Sequence, residues 1–330
     1  MRVIVTGATS FIGSHAVQAL VSEGFEVSAL IRPNSSGRKN LEQMVMQKEQ
    51  LEIIECELSS LKELARGARQ NEQVSQGNQA GQNSQPSLIG QKWSHDLGKA
   101  DYWLHLGWDG SGSDNRKLVD VQSMNAVYAL DALEAAAMAH CKRFLFCGSQ
   151  AEYGVRNTTM RETDKLNPFS EYGKAKAKVG QLASARAKEL GILYIHTRVF
   201  SVYGPGDHPW SLVASAIRTF QEGGTMELGA CTQLWNYLYI TDAISALILL
   251  LTGDAPAGVY NVAGEDTRPL RDYIETIHEL CGGRGSCQYG KRPPNAEGVT
   301  SLDPDITKLK ETTGFHQEIS FEQGIQMMLM

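Results

Sequence analysis

The sequence predicts an α/β fold: a doubly wound parallel sheet followed by a smaller C-terminal α/β lobe. Two features of the first 200 residues carry this. Short apolar runs alternate with amphipathic stretches, and the runs are continuously hydrophobic, as strands covered on both faces are. A third feature is the glycine-bearing turn "TGATSFIG", which sits between the first run and the first helical stretch. A chain of 330 residues is long enough for one large domain with an added lobe.

In chain order, "RVIVT", "EVSALI", "LEIIE", "YWLHL", "RFLFC" and "ILYIHTRV" read as strands. Helical stretches lie between them at 11–23, 117–140 and 171–190. One segment breaks the rhythm: 69–91, rich in Gln, Asn, Ser and Gly, reads as an exposed polar insertion. Beyond residue 200 come Gly/Pro turns and short segments such as "YGPGDHP", "MELG", "WNYLYI" and "GVYNVAG". The expected division is therefore a dinucleotide-binding domain over 1–200 and a substrate lobe mainly over 201–330, with some late elements returning to the sheet. "AISALILLL", at 243–251, is too short to cross a bilayer and reads as a core helix.

Composition excludes several classes. A net charge of −6 without a basic run argues against nucleic acid as a partner. No membrane span is expected, and the first residues enter a strand directly. The six cysteines lack a C-x-x-C pair, which fits reduced thiols in a cytoplasmic protein. The histidines are dispersed, so no metal site is expected.

The turn Gly7-x-x-Ser10-x-x-Gly13 has the spacing of a dinucleotide fingerprint with Ser in place of its middle glycine. Such a turn brings backbone close to a pyrophosphate and aims a helix N-terminus, here Phe11 and Ile12, at the anion. Ser10 carries a Cβ, so the loop shifts or its hydroxyl meets a phosphate. At the end of the second strand stand Arg32, Ser35 and Arg38, where an NAD enzyme usually places an acid. Basic groups there favour the 2′-phosphate of NADP. The architecture is thus Rossmann-type, with NADPH as the expected cofactor.

In "SEYGKAKAK", Tyr172 and Lys176 are four residues apart and share a helix face. A neighbouring ammonium favours phenolate, which would bring a phenol of pKa about 10 into working range for proton exchange with a carbonyl or alcohol. Ser149, closing the "FLFC" strand, stands where it can bond the same oxygen.

Taken together, "TGATSFIG", Glu57-Leu58, "LHLGW", Asn125, "GSQAEYG", "YGKAK", "RVFSVYGPGD", "YLYITDAISAL" and "YNVAG" resemble the extended short-chain dehydrogenase/reductase family, in its nucleotide-sugar epimerase/dehydratase branch. The resemblance spans nearly the whole chain outside the insertion. It implies a Ser149–Tyr172–Lys176 catalytic triad with Asn125 in support. Lys176 would also bind the nicotinamide ribose, and Tyr172 would border the nicotinamide. Glu57 and Leu58 would flank the adenine, and Leu106, Gly107 and Val199 would complete the cofactor contacts.

The 4,6-dehydratases of this family carry acids just after the catalytic hydroxyl. Here Gln150 and Ala151 stand there, and an amide and a methyl cannot shuttle that proton. On the substrate side the resemblance points to Ser201, His208, Leu212 of "HPWSLV", and Arg292 as the diphosphate group, because Trp235-Asn236 replaces the usual Arg-Asp pair. Trp235 either stacks on a ring of the substrate or packs the lobe. Trp108 and Arg116 follow the fourth strand, in a loop that is structural or meets substrate.

The expected activity is NADPH-dependent reduction of the C4 keto group of an NDP-4-keto-6-deoxyhexose by a homodimer, the pairing being that of relatives. An NAD-dependent NDP-sugar 4-epimerase is the alternative. A non-catalytic, NADP-sensing Rossmann protein is the alternative of another class.

Overall fold

The computed structural model describes residues 1–66, 97–112, 114–293 and 300–330. The expected polar insertion at 69–91 lies outside the described residues.

The strands are β1 (Arg2–Thr6), β2 (Glu26–Ile31), β3 (Leu51–Glu55), β4 (Tyr102–His105), β5 (Arg143–Ser149), β6 (Leu193–Val199), β7 (Ser201–Tyr203), β8 (Thr225–Glu227), β9 (Leu234–Tyr239), β10 (Gly258–Val262), β11 (Thr267–Pro269) and β12 (Ser286–Gln288). Seven of them form one sheet in the order β10-β6-β5-β4-β1-β2-β3. Its β1–β2, β2–β3, β1–β4 and β4–β5 pairs are parallel. The order reverses between β1 and β4, the switch point whose carboxyl-end crevice takes ligands in such sheets. A strand from beyond residue 200, β10, lies at the sheet edge.

The chain divides into two compact units that interleave along the sequence. The first holds Met1–Asp109, Ser123–Phe146 and Val179–Ile195; the second holds Gly110–Gln122, Cys147–Lys178 and His196–Met330.

The core of the first unit explains why its strands read as unbroken apolar runs. Ile4, Trp103, Phe144 and Phe146 are fully buried, and the rings of Trp103 and Phe144 stack at 6.3 Å. The alanines of the helix Val119–Met138, among them Ala129, Ala132, Ala135 and Ala136, pack into the same cluster. Small side chains there let the helix lie close to the sheet, where dispersion contacts accumulate. Met124 and Val127 of that helix, and Leu182 of the helix Glu171–Leu190, remain exposed.

The second unit has a three-stranded sheet, β11-β9-β7, and a β12-β8 pair. Tyr237, Tyr273 and Phe321 pack as an aromatic knot, with ring centres 4.6 to 5.4 Å apart. Two buried asparagines tie its loops. Asn236 bonds Gly264, Asp266 and Thr267, and Asn261 bonds Met160, Asp305 and Tyr153. The apolar run at 243–251 lies within the helix Ile240–Thr252 and is buried apart from Ser245 and the half-buried Leu249. Among the described residues no helix is long and apolar enough to cross a membrane, and no group of three or more His, Cys, Asp or Glu is placed to hold a metal.

Candidate active site

In the first unit the β1 turn has the shape of an anion cradle. Gly7 has φ +72°, and a Cβ on it would stand 2.8 Å from the Gly107 nitrogen. Gly13 likewise has no room for a side chain, because a Cβ would meet the Gly7 carbonyl and the Ser10 hydroxyl. Ser10 is the N-cap of the helix Phe11–Ser22, its Oγ accepting from the Gly13 N–H at 3.1 Å. Its hydroxyl thus caps the helix as an acceptor, which leaves its own O–H proton available to a phosphate. The first-turn N–H groups of Phe11 and Ile12 have no acceptor within the helix, by its geometry. This constriction and helix end fit a dinucleotide pyrophosphate. Leu106 and Gly107 line the turn from β4. Leu58 is buried, and a Cβ on Gly107 would stand 2.7 Å from its side chain, while Glu57 is exposed.

The arginines expected to meet a 2′-phosphate have company. Arg38 pairs with Glu42 at 3.0 Å and Glu55 at 2.8 Å, and Arg32 lies 3.7 Å from Asp109. Ser35 bonds Thr9 at 2.9 Å. Asn125 is buried, accepting from the Asp109 N–H (2.8 Å) and donating to the Asp109 carbonyl (2.7 Å). Both ends of its amide thus help hold the loop after β4. Trp108, in that loop, packs against Phe146, with ring centres 6.1 Å apart.

Ser149, Tyr172 and Lys176 lie in the second unit. Ser149 ends β5 and caps the short turn Gln150–Glu152, its Oγ accepting from the Ala151 N–H at 3.2 Å. Ser170 caps the helix Glu171–Leu190, placing Tyr172 in its first turn and Lys176 one turn on. Gly173 lets these two turns meet: a Cβ there would stand 2.5 Å from the Ala151 carbonyl oxygen. Tyr172 is consequently buried, with Ser149 among the groups that oppose the rise in its pKa. Lys176 is buried with its Nζ donating to the Cys147 carbonyl at 2.7 Å and lying 5.7 Å from the Tyr172 ring centre.

Burial pushes the Tyr172 phenol above its ordinary value, and the chief opposing charge is Arg116, whose guanidinium stands 4.6 Å over the ring. Burial also brings Lys176 down to about 8, with Cys147 and Glu152 opposing that fall.

Gln150 and Ala151, in the turn, are half-buried. Ser201 and the buried Val199 flank the β6–β7 junction, and Ser201 pairs with Tyr237. Trp235 is half-buried on β9 beside Tyr237. His208 stacks on Trp210 at 4.5 Å. Leu212 and Arg292 line one cavity of about 310 Å³ together with Trp210, Arg218 and Met226.

Sequence reasoning passed over Glu152, His196 and Arg198. Glu152 is buried, 2.9 Å from His196 Nε2 and 3.2 Å from Arg198 Nε. The available signal was "HTR": two basic residues at a strand's two-residue period inside a buried run demand an acid on the same face.

Residues 3–263 match the family model described as the NAD dependent epimerase/dehydratase family. Along 98% of its length the chain is 24% identical to the UDP-N-acetyl-alpha-D-glucosaminuronate decarboxylase of Bacillus cytotoxicus, covering 95% of that protein. In structure it resembles the UDP-glucose 4-epimerase of Thermotoga maritima, solved with UDP-glucose, at TM-score 0.79 and 22% identity, covering 99% of this chain and 97% of that one. It also resembles MoeE5, solved with UDP-glucuronic acid and NAD, at TM-score 0.78 and 24% identity, covering 98% and 96%.

Proposed function

The chain belongs to the NAD dependent epimerase/dehydratase family, and from that premise we propose that it is an NADPH-dependent reductase of the C4 keto group of an NDP-4-keto-6-deoxyhexose. The observation that carries the reading is the make-up of the Ser149 turn. Tyr172 is buried where Ser149 acts on its phenol, while Gln150 and Ala151 leave that turn without the acids a dehydration requires.

A bound nicotinamide dinucleotide supplies the hydride. Ser149 and Tyr172 share the ketone oxygen, orienting it and polarising its carbonyl. Burial keeps Tyr172 a protonated phenol at neutral pH, the form that donates. Lys176 titrates at about 8 and so stands near the operating pH for resupplying that proton. The cavity beside Leu212 suits the nucleoside diphosphate: Trp210 offers an exposed aromatic face to the base, and Arg218 and Arg292 offer guanidinium groups to the phosphates. Arg32 and Arg38 support NADPH over NADH.

A second reading, an NAD-dependent NDP-sugar 4-epimerase, is favoured by the carboxylates at those arginines. Glu42, Glu55 and Asp109 would oppose an added phosphate. One experiment separates the two. The protein is incubated with NADPH or NADH and a panel of NDP-4-keto-6-deoxy sugars, and separately with UDP-hexoses and NAD, and products are identified by NMR. The reductase reading predicts stoichiometric NADPH consumption and an NDP-6-deoxyhexose. C4 inversion of a UDP-hexose without net cofactor turnover refutes it. Tyr172→Phe abolishes turnover, by 10²-fold or more on the order expected for a lost general acid, while dinucleotide binding measured by fluorescence persists.

A further inference from the structure

Glu152 has no task in the reaction above, yet its surroundings are built around it. Its Oε1 accepts from the Ser149 N–H at 2.9 Å while the Ser149 hydroxyl accepts from the Ala151 N–H, so the reacting serine is clamped in a capping box. Its two oxygens also meet His196 and Arg198, which alternate onto one face of β6. The residue before Ser149 is Gly148, and a Cβ there would collide with Glu152, His196 and the Thr197 carbonyl. A leucine or valine would fill such a site at lower cost than a buried carboxylate with two basic partners.

We propose that Glu152 is a positioning residue of the reaction, clamping Ser149 through its backbone N–H and holding a negative charge that acts on the Tyr172–Lys176 pair. The inference rests on the Ser149–Tyr172–Lys176 assignment but not on the choice between reductase and epimerase. Burial alone would raise the Glu152 carboxyl, but His196, Arg198 and the Ser149 N–H outweigh it and hold the group below the ordinary carboxylate value. It is therefore ionised through the whole neutral range. Its charge favours the Lys176 ammonium and disfavours the Tyr172 phenolate. The other groups facing that pair are Arg116 and Cys147. Removing the charge moves both titrations the same way: Lys176 and Tyr172 each give up a proton at lower pH. The direction holds whether the enzyme reduces or oxidises C4.

The test is Glu152→Gln in the full chain, which keeps an acceptor for the Ser149 N–H and removes the charge. Lys176 is titrated by NMR with ¹⁵N-labelled lysine, its resonance assigned with Lys176→Met; this needs no substrate. In parallel, kcat/KM is followed against pH with whichever nucleotide sugar the wild type turns over. Both profiles move to lower pH by about half a unit or more. Unmoved profiles in folded Glu152→Gln overturn the proposal. Glu152→Asp provides a second test should Gln fail to fold: the charge stays but the carboxylate retracts from Ser149, so kcat falls several-fold while dinucleotide affinity and the Lys176 titration hold. An Asp variant with wild-type kcat overturns the clamp. A wild type that turns over no sugar defeats the functional reading alone, because the lysine titration still decides the role of Glu152.

Discussion

Arg116 stands 4.6 Å over the Tyr172 ring, closer to its centre than Lys176 at 5.7 Å. It is held by its Nε donating to the Ser111 carbonyl at 2.8 Å, so the cation is placed rather than loose. A positive charge beside a phenol favours phenolate, so removing it raises the phenol's pKa. Arg116→Gln therefore shifts the Tyr172 limb of the kcat/KM profile upward, opposite in sign to Glu152→Gln, by about half a pH unit. Arg116 is exposed, so its effect is screened. Raising salt to about 0.5 M moves the wild-type limb part of the same way, because the Debye length then falls to a few ångströms. A profile insensitive to both treatments rejects this role for Arg116.

At the scale of elements, the catalytic geometry depends on two turns meeting: the cap after β5 and the first turn of the helix Glu171–Leu190. Gly173 permits the contact, since a Cβ would sit 2.5 Å from the Ala151 carbonyl oxygen, backbone that cannot swing aside. Alanine has the better helix propensity by roughly 1 kcal/mol, so in an open helix the exchange would stabilise. Here overpacking wins, costing about 1–3 kcal/mol net and pushing Tyr172 away from Ser149. Gly173→Ala lowers both the melting temperature and kcat; a variant as stable and active as wild type contradicts the close approach. The same scale explains what the sequence made legible. The strands β1, β2, β4 and β5 were legible because most of their residues are apolar and buried; the edge strand β3, with only Ile54 buried, was legible from the short Leu51–Ile54 apolar signal. The three-residue strands β7, β8, β11 and β12 carry no such run, because distant pairing partners define them: β8 with β12, β11 with β9. Within the site, Tyr172 and Lys176 were legible from a spacing local to one helix. Glu152 with His196 and Arg198 was not, because those contacts span 44 and 46 residues and exist only once β5 and β6 are in place.

For the molecule as a whole, the burial of Lys176 carries a cost in stability. Burial lowers its pKa from 10.5 to about 8. That displacement corresponds to about 3 kcal/mol of native-state cost. Below pH 8 the lysine is charged both folded and unfolded, so the cost is fully present. Between about 8 and 10.5 the native state releases the proton while the unfolded chain keeps it, and stability rises with pH by linkage. Above that window both states are neutral and the term vanishes. Lys176→Met, which fills similar volume without charge, is accordingly inactive yet more stable than wild type at pH 7 by up to about 3 kcal/mol, less what the lost bond to the Cys147 carbonyl contributed. Denaturant unfolding at a series of pH values checks both the sign and the window: the gain is largest at or below pH 8 and fades toward pH 10.5. A Met variant less stable than wild type at pH 7, or a difference that does not change with pH, would mean that the ammonium is fully compensated where it lies.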